Sequence, residues 1–394
     1  MNCETIISIL LATCLVLISG AKGREKALTG LEIRRELKRL NKPAVKSIKS
    51  GDGHIIDCID IYKQPAFDHP LLKNHTIQMR PSNYDSEKMK ASSKQVEQLW
   101  QNRRCPEGTV PIIRTQKSDI LRKISLDENS NAHRMESAKL YVDTKNHGGE
   151  AFINIWNIYV APGETSTASM FVGIKDKPDL INAGWIVSET IFGDNRTHLY
   201  VFWASDNGGC YNLKCPGFIQ TNKNIEIGGT IASVSVYDGE QYSMKVKIYK
   251  DQRNDHWWLE HDLGPLGYWP GSLFKNMATS ADLVQWGGQV SNTAPGGHHT
   301  STQMGSEGCW SHLAEPENGG SEISRGYRQG RKGRGGRLPL MGDDGVGDLR
   351  KWLFFWLLRD IDVGLQDEDD EGWGRIVMML YLRMCFLVNS ILVG

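Results

Sequence analysis

The chain has 394 residues, with 46 basic and 46 acidic side chains and no formal net charge, which excludes a generally basic nucleic-acid binder and an acidic solvating protein. Its length permits a substantial buried core and two or three domains. Forty-one glycines and twelve tryptophans against 23% charged residues fit short strands and turns better than long amphipathic helices, so the composition predicts a β-rich fold.

Residues Ile6 to Ile18 carry no charge and are mostly Ile, Leu and Val, and the small residues Ser19, Gly20, Ala21 and Gly23 follow. This pattern predicts a cleavable signal peptide over residues 1–23. Thirteen uncharged residues are too few to cross a hydrocarbon layer, which needs about 20. Residues 24 to about 48 are rich in Lys and Arg, and Leu31, Ile33, Leu37 and Leu40 share one helical face, predicting a short amphipathic helix. The prolines of IIDCIDIYKQPAFDHPLLKNHTIQMRPS forbid a long helix and leave loops and short strands. The charged stretch Lys117 to Asn131 reads as an exposed linker and a first domain boundary.

Strand signals become regular from Ser137 onward. Ala232, Val234 and Val236 alternate with Ser233, Ser235 and Tyr237, and after Asp238-Gly239 the residues Met244, Val246 and Ile248 alternate with Lys245, Lys247 and Tyr249. That predicts a hairpin with one buried face. Further strands are expected at 151–160, 168–174, 198–205 and 255–262, and one short helix in SLFKNMATSADLVQWGG. Strands without intervening helices predict an all-β, antiparallel sandwich. After about Gly305 come an Arg/Gly tract at 325–337, an apolar run at 352–358, an acidic run and an apolar tail from Ile376 to Val393. Arg383 and Asn389 make that tail costly in a bilayer, so no stable membrane anchor is expected. The tail reads as irregular sequence outside the domain, from a missed splice or a shifted frame.

Once the leader is removed, Cys58, Cys105, Cys210, Cys215, Cys309 and Cys385 remain, with neither a CxxC nor a His/Cys cluster of zinc spacing. Disulfides are then expected in place of a metal site. Cys210 and Cys215 close a small glycine-flanked loop and form the first expected bridge. Asn74 and Asn195 head glycosylation sequons. The catalytic motifs GxSxG and HExxH and the phosphate-cradling GxxxxGK[ST] are absent, and no cofactor is implied. His298 to Thr302 group imidazoles and hydroxyls, but such loop residues usually hydrogen-bond a turn. The pairs Trp257-Trp258 and Tyr268-Trp269 read as core rather than as a carbohydrate or proline platform.

The runs DCIDIYKQPAFDHPLLKNHTIQMRPS and WQNRRCPEGTVPIIR closely resemble the activation-peptide region of the plant neprosin family. AGWIVSETIFGDNRTHLYVFW, GCYNLKCPGFIQ, LGYWPGSLF, ADLVQWGGQV and GGHHTSTQMGS resemble successive blocks of that family's peptidase domain, so that the resemblance spans about residues 30 to 305. It implies an activation peptide at 24–130, a peptidase-type domain at 131–310 and an unrelated tail at 311–394. It implies a secreted zymogen, extracellular or vacuolar/apoplastic, folded as two stacked antiparallel sheets and acting on proline-containing polypeptides. The implied chemistry is cleavage after proline at acid pH by two glutamates facing one water, one accepting its proton and the other stabilising the tetrahedral intermediate.

Matched residue by residue, the first glutamate position holds Asn182, just before Ala-Gly-Trp, and the second holds Gln289, in Trp286-Gly287-Gly288-Gln289. Neither amide accepts or delivers a proton at working pH, so the domain is expected to be inactive by this route; the alternative reading is a non-catalytic groove that binds proline-rich wall polypeptides. Glu189 lies seven residues from Asn182 and is expected on the opposite strand face. The resemblance also implies a Cys58–Cys105 bridge alongside Cys210–Cys215. It further implies that the tail replaces one or two last strands of the sandwich.

Overall fold

The computed structural model describes residues 29–84, 105–122, 134–206, 208–237, 239–294 and 298–305, together with the backbone of 358–365. The expected signal peptide, most of the linker, Cys309, Cys385, the Arg/Gly tract and the apolar tail lie outside the described residues. The amphipathic helix forms over Gly30–Leu40. A capping box starts it: the Glu32 amide donates to Thr29 Oγ1 at 3.3 Å, and the Glu32 carboxylate accepts from the Thr29 amide at 2.7 Å.

Three antiparallel strands, β1 (Ala44–Lys49), β2 (Ile55–Asp60) and β3 (Thr109–Ile113), make a small sheet in the order β1-β2-β3. The chain between β2 and β3 holds three short 3-10 turns, Ile61–Lys63, Pro65–Asp68 and Pro70–Leu72, two of them opening on proline. Cys58 and Cys105 are bridged across this loop with Cα atoms 5.5 Å apart.

The remaining strands are β4 (Arg134–Asn154), β5 (Ser166–Gly173), β6 (Leu180–Val187), β7 (Thr197–Ser205), β8 (Gly208–Tyr211), β9 (Ile219–Gln220), β10 (Ser243–Asp251), β11 (His256–His261), β12 (Gly264–Pro270), β13 (Ala281–Asn292) and β14 (Leu358–Leu365). They form one antiparallel sheet ordered β8-β7-β6-β5-β13-β4-β10-β11-β12-β9. The 21 residues of β4 serve two neighbourhoods: Arg134–Asn146 pairs with β13 and Gly148–Asn154 with β10. The changeover falls at Gly148, whose φ of 116° favours glycine and where a Cβ would strike the Ile248 carbonyl. The sheet therefore curls, and apolar residues of both flanks join one core. Met170, Trp185 and Trp286 from one flank share it with Val246, Trp257 and Trp269 from the other. The Trp185 indole N–H donates to the Asn154 carbonyl at 2.8 Å and so closes the curl.

Several expectations are corrected. Residues 232–237 are not a strand; β10 pairs with β4 along Ser243–Tyr249 and with β11 along Lys247–Asp251. Their alternation is satisfied otherwise: the Ser235 amide donates to the Ile155 carbonyl at 2.7 Å and its hydroxyl to Asn154 Oδ1 at 2.5 Å. The strand expected at 151–160 ends at Asn154. The helix expected before the last strand is a single 3-10 turn, Gly271–Leu273. Within the tail, β14 runs antiparallel to β4 from Ile153 to Asn146. Trp257, Trp258, Tyr268 and Trp269 are fully buried and belong to the core. Among the described residues no helix is long and apolar enough to cross a membrane.

The segment after β2 is held on the large sheet by specific contacts. Gln64 and Gln220 exchange buried hydrogen bonds, the Gln220 amide donating to Gln64 Oε1 at 2.8 Å and Gln64 Nε2 to the Gln220 carbonyl at 3.1 Å. His75 Nε2 lies 2.8 Å from the Tyr268 hydroxyl, and Asp251 accepts from the Ser82 amide at 2.9 Å.

Candidate functional site

Strand register sets out the face of the sheet turned away from the core. Tyr141, Gln285, Phe171, Asn182, Phe202 and Tyr211 are aligned across β4, β13, β5, β6, β7 and β8. The next row is Lys139, Gly287, Ser169, Gly184 and Tyr200, and the one after it Ser137, Gln289, Thr167, Ile186 and His198. Alternate positions, such as Trp286, Met170, Ala183 and Val201, turn into the core.

The middle row explains why a hollow exists. Its central members are Gly287, Ser169 and Gly184, so the floor there is almost bare backbone. At Gly184 a Cβ would collide with the Ala168 carbonyl, and at Gly287 with the Ala138 carbonyl, so close strand approach dictates both glycines. The resulting concavity is lined by Lys139, Ser169, Phe171, Asn182, Gln285, Gly287, Gly288 and Gln289. Both positions singled out from the sequence thus border one hollow. They are staggered, Asn182 in the first row and Gln289 in the third, with β5 between their strands.

The electrostatics of the hollow are those of donors. Among the described residues lining it, Lys139 is the only ionisable one. It stands at the rim with its stem over Gly287, and desolvation lowers its pKa below the ordinary lysine value. The buried Tyr200 hydroxyl lies in hydrogen-bonding reach of Ser169, Thr167 and Asn182, and burial raises its pKa. Asn182 Oδ1 is buried and finds no donor among the described residues. Phe202 and Tyr211 stack at a tilt beside Asn182, with ring centroids 4.8 Å apart.

The other sequence candidates fall elsewhere. Glu189 is not on the β6 strand at all: it opens the one-turn helix Glu189–Phe192, capped by the Ser188 hydroxyl, and it does not line the hollow. Within His298–Thr302 the hydroxyls of Thr300 and Thr302 both donate to the Glu164 carboxylate, a structural tie. Cys210 and Cys215 are bridged, with Cα atoms 5.9 Å apart. Asn74 and Asn195 are exposed on turns. Among the described residues no three His, Cys, Asp or Glu side chains converge to hold a metal ion. Sequence reasoning missed Lys139, Ser169, Phe171 and Gln285. A signal for Ser169 and Gln285 existed in the alternation of small and polar residues on the outward faces of β5 and β13.

Comparison with known proteins adds two family matches. The model of the Neprosin family matches residues 162–317, and that of the Neprosin activation peptide matches residues 47–153. Among solved structures, a Scytalido-glutamic peptidase with a peptide-based transition-state analogue aligns over 44% of this chain and 72% of its own, at 10% identity and a TM-score of 0.24. A glycoside hydrolase family 16 endo-glucanase from Bacteroides ovatus aligns over 50% of this chain and 78% of its own, at 10% identity and a TM-score of 0.23. At such scores no residue role transfers from either structure.

Proposed function

We propose a function from the premise that this chain belongs to the neprosin family, with that family's activation peptide ahead of a prolyl-endopeptidase-like domain. The domain holds proline-containing polypeptides in its concavity and does not cleave them by the two-carboxylate route. One observation carries this reading: no Asp or Glu is among the eight residues lining the hollow, and Asn182 and Gln289 stand where the family resemblance calls for carboxylates. An amide keeps much of the shape of a carboxylate and its hydrogen bonding, but it cannot take the proton of an attacking water or return it to a leaving amine. General acid–base catalysis supplies about 100- to 10,000-fold, so loss of both groups leaves negligible turnover. The two disulfides favour an oxidising compartment, and we place the protein on the secretory route, extracellular or vacuolar.

The test is hydrolysis of a fluorogenic peptide with one proline before the reporter, at about pH 4, where a carboxylate pair shares a proton. The native sequence is expected to show no acid-dependent cleavage, and the double variant Asn182→Glu with Gln289→Glu to acquire it. Acid-dependent turnover by the unaltered chain would overturn the proposal.

A further inference from the structure

We infer that the hollow is a receptor for a free carboxylate, and specifically for the C-terminal carboxylate of a peptide ending in proline. The inference rests on reading the hollow as a peptide-binding site. It adds which part of the peptide binds there.

The charge pattern makes the case. Two carboxylates facing one another would repel a third, and a site built that way accepts a neutral peptide bond. Among the described residues the same hollow carries no carboxylate; Gln285, Gln289 and Asn182 are neutral, and Lys139 is the only ionisable lining group. Lys139 is exposed beside the hollow, and no ion pair engages it among the described residues. Such a cation gains a partner from a ligand that brings an anion.

The donors sit where such a ligand would be clasped. Lys139, Gly287 and Ser169 share the middle row, with Gln289 in the row on one side and Gln285 and Asn182 in the row on the other. The ammonium, the Ser169 hydroxyl and the glutamine N–H groups all donate, and a carboxylate only accepts.

The neighbouring row favours a peptide end over a sugar acid. Phe171 and Phe202 flank Asn182, and Tyr211, 41% exposed, continues the row outward. Aromatic-lined grooves of this kind accept proline rings, which enter binding with little conformational entropy to lose. A chain whose last proline packs on Phe171 and Phe202 delivers its terminal carboxylate to the middle row.

The experiment is calorimetric titration of the purified full chain with acetyl-Ala-Ala-Ala-Pro as the free acid and as the C-terminal amide, at pH 6. The acid is expected to bind at least about tenfold more tightly, the scale of a charge-assisted hydrogen bond. Lys139→Gln should remove that difference, and Gln289→Glu should weaken the acid selectively. Equal affinity for acid and amide would overturn the carboxylate assignment while leaving the peptide-groove reading standing. Failure of both ligands to bind would overturn both. Tighter binding of tetragalacturonate than of the peptide acid would overturn the choice of a peptide terminus.

Discussion

Removing Glu164 should loosen the end of the domain more than any other single surface-proximal change. Its side chain is buried between the turn leading into β5 and the chain leaving β13, and it accepts four hydrogen bonds. The Thr293 amide donates at 2.7 Å, the Thr293 hydroxyl at 2.9 Å and the Thr302 hydroxyl at 2.5 Å, with Thr300 the fourth donor. Glu164→Ala orphans these donors, and each buried polar group left unpaired costs about 1–3 kcal/mol. With water reaching some of them, the expected loss is about 3–5 kcal/mol. For a domain of this size that corresponds to a fall in Tm of about 10 °C. Urea denaturation followed by tryptophan fluorescence measures it. A loss below about 1 kcal/mol at unchanged m would refute the latch.

Glu164→Gln retains one acceptor and should lose only about 1–2 kcal/mol. The pH dependence follows from linkage. Burial alone would raise the Glu164 pKa, but the hydrogen bonds from Thr293, Thr300 and Thr302 outweigh it and hold it below the ordinary glutamate value. A depressed carboxyl pKa contributes stability above the unfolded value of about 4.3 and loses it as pH falls through the folded value. The gap between the native chain and Glu164→Gln should therefore be widest near neutrality and close in strong acid.

Two further outcomes test the fold around the site. Gly184→Val must push β5 from β6, because its Cβ would collide with the Ala168 carbonyl; a loss of about 2–4 kcal/mol is expected, and native-like stability would refute the close approach. His256 stacks on Tyr268 at 4.6 Å and faces His75 at 5.3 Å. Burial, with His75 adding to it, lowers the His256 pKa to about 4, and burial also lowers that of His75. Asp251 and Asp255 oppose the shift and Lys250 reinforces it. A histidine held neutral contributes stability that is lost as pH falls from the unfolded value of about 6.5 towards the folded one. His256→Phe should thus remove about 2 kcal/mol of the acid-induced destabilisation over that window, read from denaturation midpoints at pH 7 and pH 4.5; an unchanged pH profile would refute it.

The sequence made the strands of this sheet legible where one neighbour on each side gives a simple alternation, as in β5 and β10. It misled at 232–237, where Ser235 of the alternating run is held by hydrogen bonds to Ile155 and Asn154 and the residues join no ladder. It was silent on the double role of β4, because nothing local tells a strand that its two halves will meet different partners. The site divides in the same way. Asn182 and Gln289 could be found only through a family resemblance, since an amide carries no chemical signature of its own. Lys139 reaches the hollow through register with Gly287, a pairing between residues far apart in sequence that no local pattern records.

Shape and chemistry of the hollow have different causes, and this decides which variants are informative. Gly184 and Gly287 are required by the backbone of neighbouring strands, so a hollow of some kind would persist even in a chain with no ligand. Its existence alone argues nothing about binding. Lys139, Ser169, Asn182 and Gln289 face that hollow with no comparable constraint on their side chains, and other residues would satisfy the sheet there. A glycine variant should therefore lose folding and binding together, whereas Lys139→Gln should leave the unfolding transition in place and erase only the discrimination between acid and amide. If Lys139→Gln instead destabilised the sheet as strongly as Gly184→Val, the cation would belong to the architecture, and the case for a carboxylate receptor would lose its central residue.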